Sequence, residues 1–128
     1  MTPDRGSATV LMTGLVVVIA TVAVATTGLG LAYAARAQAQ TASDAAALAA
    51  AVATYPPAAQ TGPTTVASQI SARNGALLVG CDCPVDLTMR PRVVNVATEV
   101  VVDIPLFGVV AVRAESRAEF DPRRWLGR

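Results

Sequence analysis

The pattern of hydrophobic positions divides the chain into one long apolar segment and a more mixed remainder. No charged residue lies between Arg5 and Arg36, and this stretch contains the run Leu15-Val16-Val17-Val18-Ile19-Ala20. A helix over residues 6–35 would be roughly 45 Å long, more than the ~30 Å hydrocarbon core of a bilayer requires. In lipid every backbone amide must be paired within the segment, which overrides the modest helix propensity of Val and Thr. The pattern predicts a transmembrane helix over residues 7–35.

The helical pattern continues past the apolar segment. Polar residues recur at every fourth position, at Arg36, Gln40 and Asp44, and small residues occupy another face. Alanine favours helix and lets another backbone approach closely. The candidate helix-packing face consists of Ala42, Ala45, Ala46, Ala49 and Ala53. Because Pro56 disfavours helix at the residue before it, we expect one helix from Ser7 to Ala53, with residues 36–54 forming a stalk.

A cleaved secretory signal is the alternative for the N-terminal segment. Ala32-Tyr33-Ala34 resembles a signal peptidase site. The apolar region before it, however, is about twice the 7–15 residues that such signals use. The length therefore favours a permanent membrane helix.

A small head is predicted after the stalk. Residues 55–63 are rich in Pro, Ala, Gln, Thr and Gly, which is typical of a linker. Thr64 or Thr65 can cap a short helix, and Asn74-Gly75 supplies left-handed residues that would end it. We expect the head to cover residues 64–121.

Alternating hydrophobicity predicts two strands in the second half of the head. The apolar positions are Val94, Val96, Val100 and Val102 in the first strand, and Val110, Val112, Ala114, Ala118 and Phe120 in the second. The segment 104–108 would join them as an antiparallel hairpin; a helix over 113–120 is the weaker alternative. A third strand is expected in 76–80 or 85–89, because a lone hairpin is marginally stable in water. The predicted fold is α+β and pilin-like: a long transmembrane helix extending into a stalk, then a head with one short helix and an antiparallel sheet.

Composition restricts the chemistry available to the chain. It is 53% hydrophobic and 15% charged, its formal net charge is +1, all ten basic residues are Arg, and it contains no His. Without imidazole or amine side chains there is no Ser–His or Cys–His pair and no Schiff base. The near-zero charge argues against nucleic acid as a partner. We expect no catalytic, cofactor-binding or metal-binding residues, and no enzyme activity.

Both cysteines lie in Cys81-Asp82-Cys83. A disulfide between Cys81 and Cys83 would close a very small ring of readily reduced geometry. An intersubunit or redox role, and free buried thiols, are the alternatives. A metal site would need ligands from a second subunit.

The C-terminal segment 122–128 is a basic tail that places three Arg residues around Trp125. A solvated tail and a contact with lipid headgroups or a partner are both compatible with this composition.

Two segments carry a family resemblance. They are residues 5–10, Arg-Gly-Ser-Ala-Thr-Val, and residues 36–49, which include Gln40-x-x-x-Asp44-Ala-Ala-Ala-Leu48. With the apolar span between them, the chain resembles the TadE/TadG-like proteins of tight-adherence (Flp, type IV-like) pilus assembly. It looks closest to actinobacterial TadE-like members encoded near secretion-type ATPase and helicase genes.

The resemblance implies a pilin-like or pseudopilin-like single-pass subunit in the plasma membrane. Its N-terminus would be cytoplasmic, with residues 1–6 as a short leader, and its head extracytoplasmic. The implied partners are membrane lipid and other pilin-like or Tad assembly proteins. In such families a prepilin peptidase can cut after the glycine, here between Gly6 and Ser7, and an uncut, TadG-like anchor is the alternative. Pilin-type substrates usually carry Glu at the fifth mature position, where this chain has Leu11. The alternative is a permanently anchored scaffold or accessory protein of a secretion system that never enters a fibre.

Overall fold

A computed structural model describes residues 5–127 and shows one long helix packed at its C-terminal half against a three-stranded sheet. Helix α1 covers Arg5–Ala53, and the short helix α2 covers Pro63–Arg73. The strands are β1 (Leu77–Asp82), β2 (Arg92–Ile104) and β3 (Gly108–Phe120). A 3₁₀ turn at Pro56–Ala58 follows α1, and the last helix, α3, is Pro122–Trp125. The α+β layout expected from the sequence is confirmed.

The sheet is antiparallel throughout, in the order β1-β2-β3. Strands β2 and β3 pair without interruption from Arg92–Phe120 at one end to Ile104–Gly108 at the other. The predicted hairpin is therefore present, and the helical alternative for residues 113–120 is wrong. The third strand occupies the first of the two segments expected for it, with an irregularity in its pairing to β2 between Leu78 and Gly80.

The two ends of α2 differ in how well the sequence predicts them. The N-cap is Gly62, followed by Pro63 at the first helical position, so the expected capping by Thr64 or Thr65 is wrong. Proline suits that position because its missing N–H would have no partner there anyway. At the other end Gly75 adopts φ +71, as expected, whereas Asn74 stays at φ −93.

Two apolar clusters join α1 to the rest of the head. The proximal cluster, nearer the N-terminus of α1, contains Ala35, Ala39, Ala42, Ala76, Val100 and Ala114. The distal cluster contains Ala46, Ala47, Ala50, Ala51, Tyr55, Ala67, Val94, Val96, Ala118 and Phe120. The fully buried residues that α1 contributes to both clusters are all alanines, and Val52 packs beside the distal cluster. The sheet therefore lies close to the helix backbone. The segment 36–54 is thus the core helix of the head, not a stalk separate from it.

The hairpin runs alongside α1 with its tip toward the N-terminus of that helix. An added Cβ on Gly28 would lie 3.3 Å from Ile104 Cγ2, which marks the contact at the tip. At the other end Val94 packs in the cluster that contains Ala50. The rise from Gly28 to Ala50 along a helix and from Ile104 to Val94 along a strand is about 33 Å in each case. The two elements therefore run side by side over the whole length of the sheet.

The end of the sheet farthest from the tip is closed by Arg92. Its guanidinium donates to the backbone carbonyls of Thr54 and Arg90, each at 3.3 Å, and also to those of Asp86 and Thr88. The same group lies 5.9 Å from the ring centroid of Tyr55. Carbonyl dipoles and an aromatic face both stabilise a cation. Arg92 thereby ties the loop after β1 to the end of α1.

Ala46→Leu should destabilise the head by about 1–3 kcal/mol, because Ala46 is fully buried between α1 and the sheet and added methyl groups have no space there. Ala37→Leu is the matched control: it makes the same change on an exposed face of α1 and should alter stability by less than about 0.5 kcal/mol. Thermal unfolding of the detergent-solubilised chain measures both. Equal effects of the two substitutions would contradict the burial of Ala46 between α1 and the sheet.

Candidate functional site

The apolar N-terminal part of α1 carries the membrane-binding chemistry of this protein. The segment Ala8–Ala53 is a single helix that is long enough and apolar enough to cross a membrane. Residues 8–27 have exposed side chains, whereas Gly28 is buried against the hairpin. Twenty residues of helix rise about 30 Å, which equals the hydrocarbon thickness of a bilayer. The head therefore begins where a spanning helix would leave the hydrocarbon.

Threonines inside this segment do not leave hydroxyl groups without partners. Thr13 donates to the carbonyl of Thr9 at 2.9 Å, and Thr21 to that of Val17 at 2.8 Å. Thr26 and Thr27 bond to carbonyls of the preceding turn in the same way. Hydroxyls satisfied by their own helix can face lipid at lower cost. The threonines are thus compatible with the membrane span.

The polar motif after the span lies at the junction between α1 and β3. Gln40 Nε2 donates to Asp44 Oδ1 and to Ser116 Oγ, each at 3.0 Å, and Ser116 donates to Asp44. Ser43, which is fully buried, has its Oγ 2.7 Å from Ser116 Oγ. Gln40 and Asp44, spaced one helical turn apart, therefore hold a serine of the sheet between them. The sequence pattern predicted the polar face but not its partner.

Two further polar contacts fix the helix against the head. The buried hydroxyl of Thr98 donates to the carbonyl of Ala39 at 2.8 Å. Gln38 Nε2 donates to the carbonyls of Asn74 and Gly75, at 3.1 and 3.3 Å, where the chain turns from α2 into β1. The Thr98 bond satisfies a hydroxyl that packing removes from water, whereas the Gln38 bonds lie at the surface. Together these bonds limit how far the sheet can slide along α1.

The candidate helix-packing face is divided by the fold. Ala42, Ala46 and Ala53 are buried under the chain's own head, and Ala45 and Ala49 are half-buried beside them. Small side chains on this face thus admit the sheet instead of a helix from another subunit. The apolar segment 8–27 is a surface of α1 that stays open to other helices.

Cys81 and Cys83 are joined by a disulfide at the end of β1, with their Cα atoms 5.4 Å apart. Both side chains contact the distal cluster. Asp82 points away between them, and Asp86 lies in the following loop, where the hydroxyl and the backbone N–H of Thr88 donate to its carboxylate. These two hydrogen bonds lower the pKa of Asp86. Over the described residues 5–127, no group of three or more potential metal ligands is present.

An ion pair joins the two strands of the hairpin. Arg113 Nε donates to Glu99 Oε2 at 2.6 Å. This contact raises the pKa of Arg113. A carboxylate held by a guanidinium in this way stabilises the hairpin at its solvent-facing side.

The basic tail lies at the end of the head farthest from the span. Asp121 caps α3 by accepting from the N–H of Arg123 at 3.0 Å. Trp125 and Arg124 line a shallow pocket with Val52 of α1. Val52 is about 36 Å along the helix from Gly28. The tail is therefore far from the level at which α1 would leave the bilayer.

These features define a single-pass membrane protein whose α+β head is built directly on its membrane helix. Residues 6–53 match the family model described as "Putative Flp pilus-assembly TadE/G-like", a match that covers less than half of the chain. Over α1 the chain is thus similar to the TadE/G-like proteins of Flp pilus assembly, and the resemblance seen in the sequence is confirmed for that segment. No curated protein and no solved structure matches the chain. The relation to actinobacterial members stays a prediction.

The motif contact at Ser116 predicts a measurable loss of stability. Ser116→Ala should destabilise the head by about 1–2 kcal/mol, because Asp44 and Gln40 lose their shared partner and Ser43 is left partly unsatisfied. Ser68→Ala on the exposed face of α2 is the matched control and should be nearly neutral. Denaturant unfolding of the detergent-solubilised protein provides the comparison. An unchanged midpoint for Ser116→Ala would show that the motif does not hold the helix to the sheet.

Proposed function

We propose that this chain is a pilin-like or pseudopilin-like subunit of a Flp/tight-adherence pilus or a related secretion assembly, acting by helix packing and not by catalysis. The observation that carries the proposal is the division of α1 into two halves. Its C-terminal half is covered by the chain's own sheet, and its N-terminal half is apolar on all sides and exposed. Such a segment can exchange lipid for the apolar helices of other subunits with little change in the surface that it buries.

The geometry also supports the proposed orientation and processing. Gly6 and Ser7 lie at the end of α1 opposite to the head, just before the twenty exposed residues. An extracytoplasmic head then places the Gly6–Ser7 bond at the cytoplasmic surface, where a prepilin peptidase could reach it. A disulfide between Cys81 and Cys83 fits an oxidising compartment outside the cytoplasm. Residues 1–4 of the proposed leader lie outside the described part of the chain.

A permanently anchored scaffold is the second candidate, and Leu11 is the observation that favours it. Cleavage after Gly6 would make Leu11 the fifth residue, and its side chain is exposed and apolar. A leucine there cannot pair with the N-terminal amine of a neighbouring subunit as a glutamate could. In this case α1 would hold the head at the membrane surface while other Tad proteins dock on it.

Processing is tested by the N-terminal mass of the membrane-extracted protein. We expect the wild-type chain to begin at Ser7 and Gly6→Leu to keep an intact leader, because a bulky residue before the scissile bond should block the peptidase. Gly14→Leu is the control, since an added side chain at Gly14 meets nothing within 4 Å, and it should be processed like wild type. A wild-type protein that begins at Met1 or Thr2 would contradict the processing proposal.

Entry into a fibre is tested by shearing intact cells of the native host. A fibre subunit should appear in the sheared surface fraction, because its apolar helix moves from lipid into contacts with other subunits. A known inner-membrane protein serves as the control for cell breakage. Recovery of the chain solely in the membrane fraction would favour the anchored scaffold instead.

A further inference from the structure

The tip of the β2–β3 hairpin, residues 105–110, is an exposed apolar surface that lies beyond the buried core residue Ile104. The nine residues from Ile104 to Val112 carry no charged or polar side chain. Leu106, Phe107 and Val109 are 88%, 78% and 71% exposed. Isolated apolar residues are common on protein surfaces, but a contiguous patch at a loop tip marks a contact with an apolar partner.

The backbone that exposes this patch adopts an energetically unfavourable conformation. Leu106 is the one non-glycine residue with positive φ, at +72°, among the described residues 5–127. Pro105 precedes it, and the N–H of Phe107 donates to the carbonyl of Ile104 at 3.0 Å, which closes the turn. Glycine is the usual residue at such a position, because a side chain there clashes with the backbone. A large apolar side chain held in this conformation and left in water is unexplained by the fold of the head.

The position of the tip along α1 indicates what covers it. Ile104 contacts Gly28, the residue that directly follows the twenty exposed residues of the span. Tyr33, 74% exposed, lies about 7 Å further along the helix. Aromatic residues of this kind concentrate where the hydrocarbon meets the headgroups. The hairpin tip is therefore at the level of the bilayer interface.

We propose that the hairpin tip, residues 105–110, inserts into the outer boundary of the bilayer in which α1 is embedded. Leu106, Phe107 and Val109 bury their side chains among lipid, and the closed turn and Pro105 leave few backbone amides without partners. The head is then held by two contacts, one through α1 and one through the tip, which restrict its tilt. The proposal concerns the membrane-embedded state and holds for either of the two candidate functions.

Tryptophan depth measurement tests the insertion. The chain has a single tryptophan, Trp125, at the opposite end of the head. In a Trp125→Phe background, Phe107→Trp or Leu106→Trp places the fluorophore at the tip. The full-length variants are reconstituted in phosphatidylcholine vesicles with and without lipids brominated near the headgroup. We expect about a twofold loss of emission at either tip position, since both lie at the depth of interfacial aromatic residues.

Two matched positions define the expected gradient. Val101→Trp, on an exposed site of β2 nearer the middle of the strand, should be quenched weakly, and native Trp125 not at all. Circular dichroism checks that each variant keeps its fold. If one of the two tip variants does not fold, the other still reports the depth of the tip. Carbonate extraction verifies that α1 remains embedded, so loss of the span is distinguished from loss of the tip contact.

Three results would overturn the proposal. The first is unquenched emission at both tip positions in folded, embedded protein. The second is equal quenching at the tip, at position 101 and at Trp125, which would mean that the whole head lies flat on the membrane. The third is a blue-shifted but unquenched tip whose emission depends on the protein-to-lipid ratio, which would assign the patch to contact with a second copy of the chain.

Discussion

The close contact between an alanine face of α1 and the three-stranded sheet is the interaction on which the rest of the structure depends. Because the fully buried residues that α1 contributes to the two clusters are all alanines, with Val52 packed beside the distal one, the sheet approaches the helix backbone along the second half of α1. Dispersion contacts at this distance are individually weak but numerous. The hydrogen bonds of Thr98 and Ser116 then fix the register of a surface that alanines alone would leave smooth.

One continuous helix in two environments has a direct consequence for the protein in a membrane. The side chains of the first half need lipid or other apolar helices, and those of the second half need the sheet. Since no flexible linker separates the two halves, the head cannot move independently of the membrane helix. Force or displacement applied to the head is transmitted to the span, which suits an assembly subunit as well as a rigid anchor.

The TadE/G-like match ends at Ala53, where α1 ends. The polar motif within the match nevertheless forms hydrogen bonds to a residue beyond it. Gln40 and Asp44 belong to the matched segment, whereas their partner Ser116 lies in β3. The proposed insertion of the hairpin tip likewise joins a residue of the matched helix, Gly28, to one of the head, Ile104. Both contacts therefore join the matched helix to the head that follows it.

The sequence by itself determined the elements whose causes are local. The absence of charged residues predicted the membrane span, and Pro56 predicted the end of α1. Gly75 predicted the end of α2, and the alternation of apolar and polar residues predicted β2 and β3. Only the tertiary structure decided that residues 36–54 form the core of the head, that Arg92 closes its distal end, and that the hairpin tip meets Gly28. Those contacts join residues far apart along the chain. The spacing of alanines on α1 is the same whether that face of the helix packs on a sheet or on another helix. The partner of a small-residue surface is chosen by which distant segment reaches it, and no local pattern contains that information.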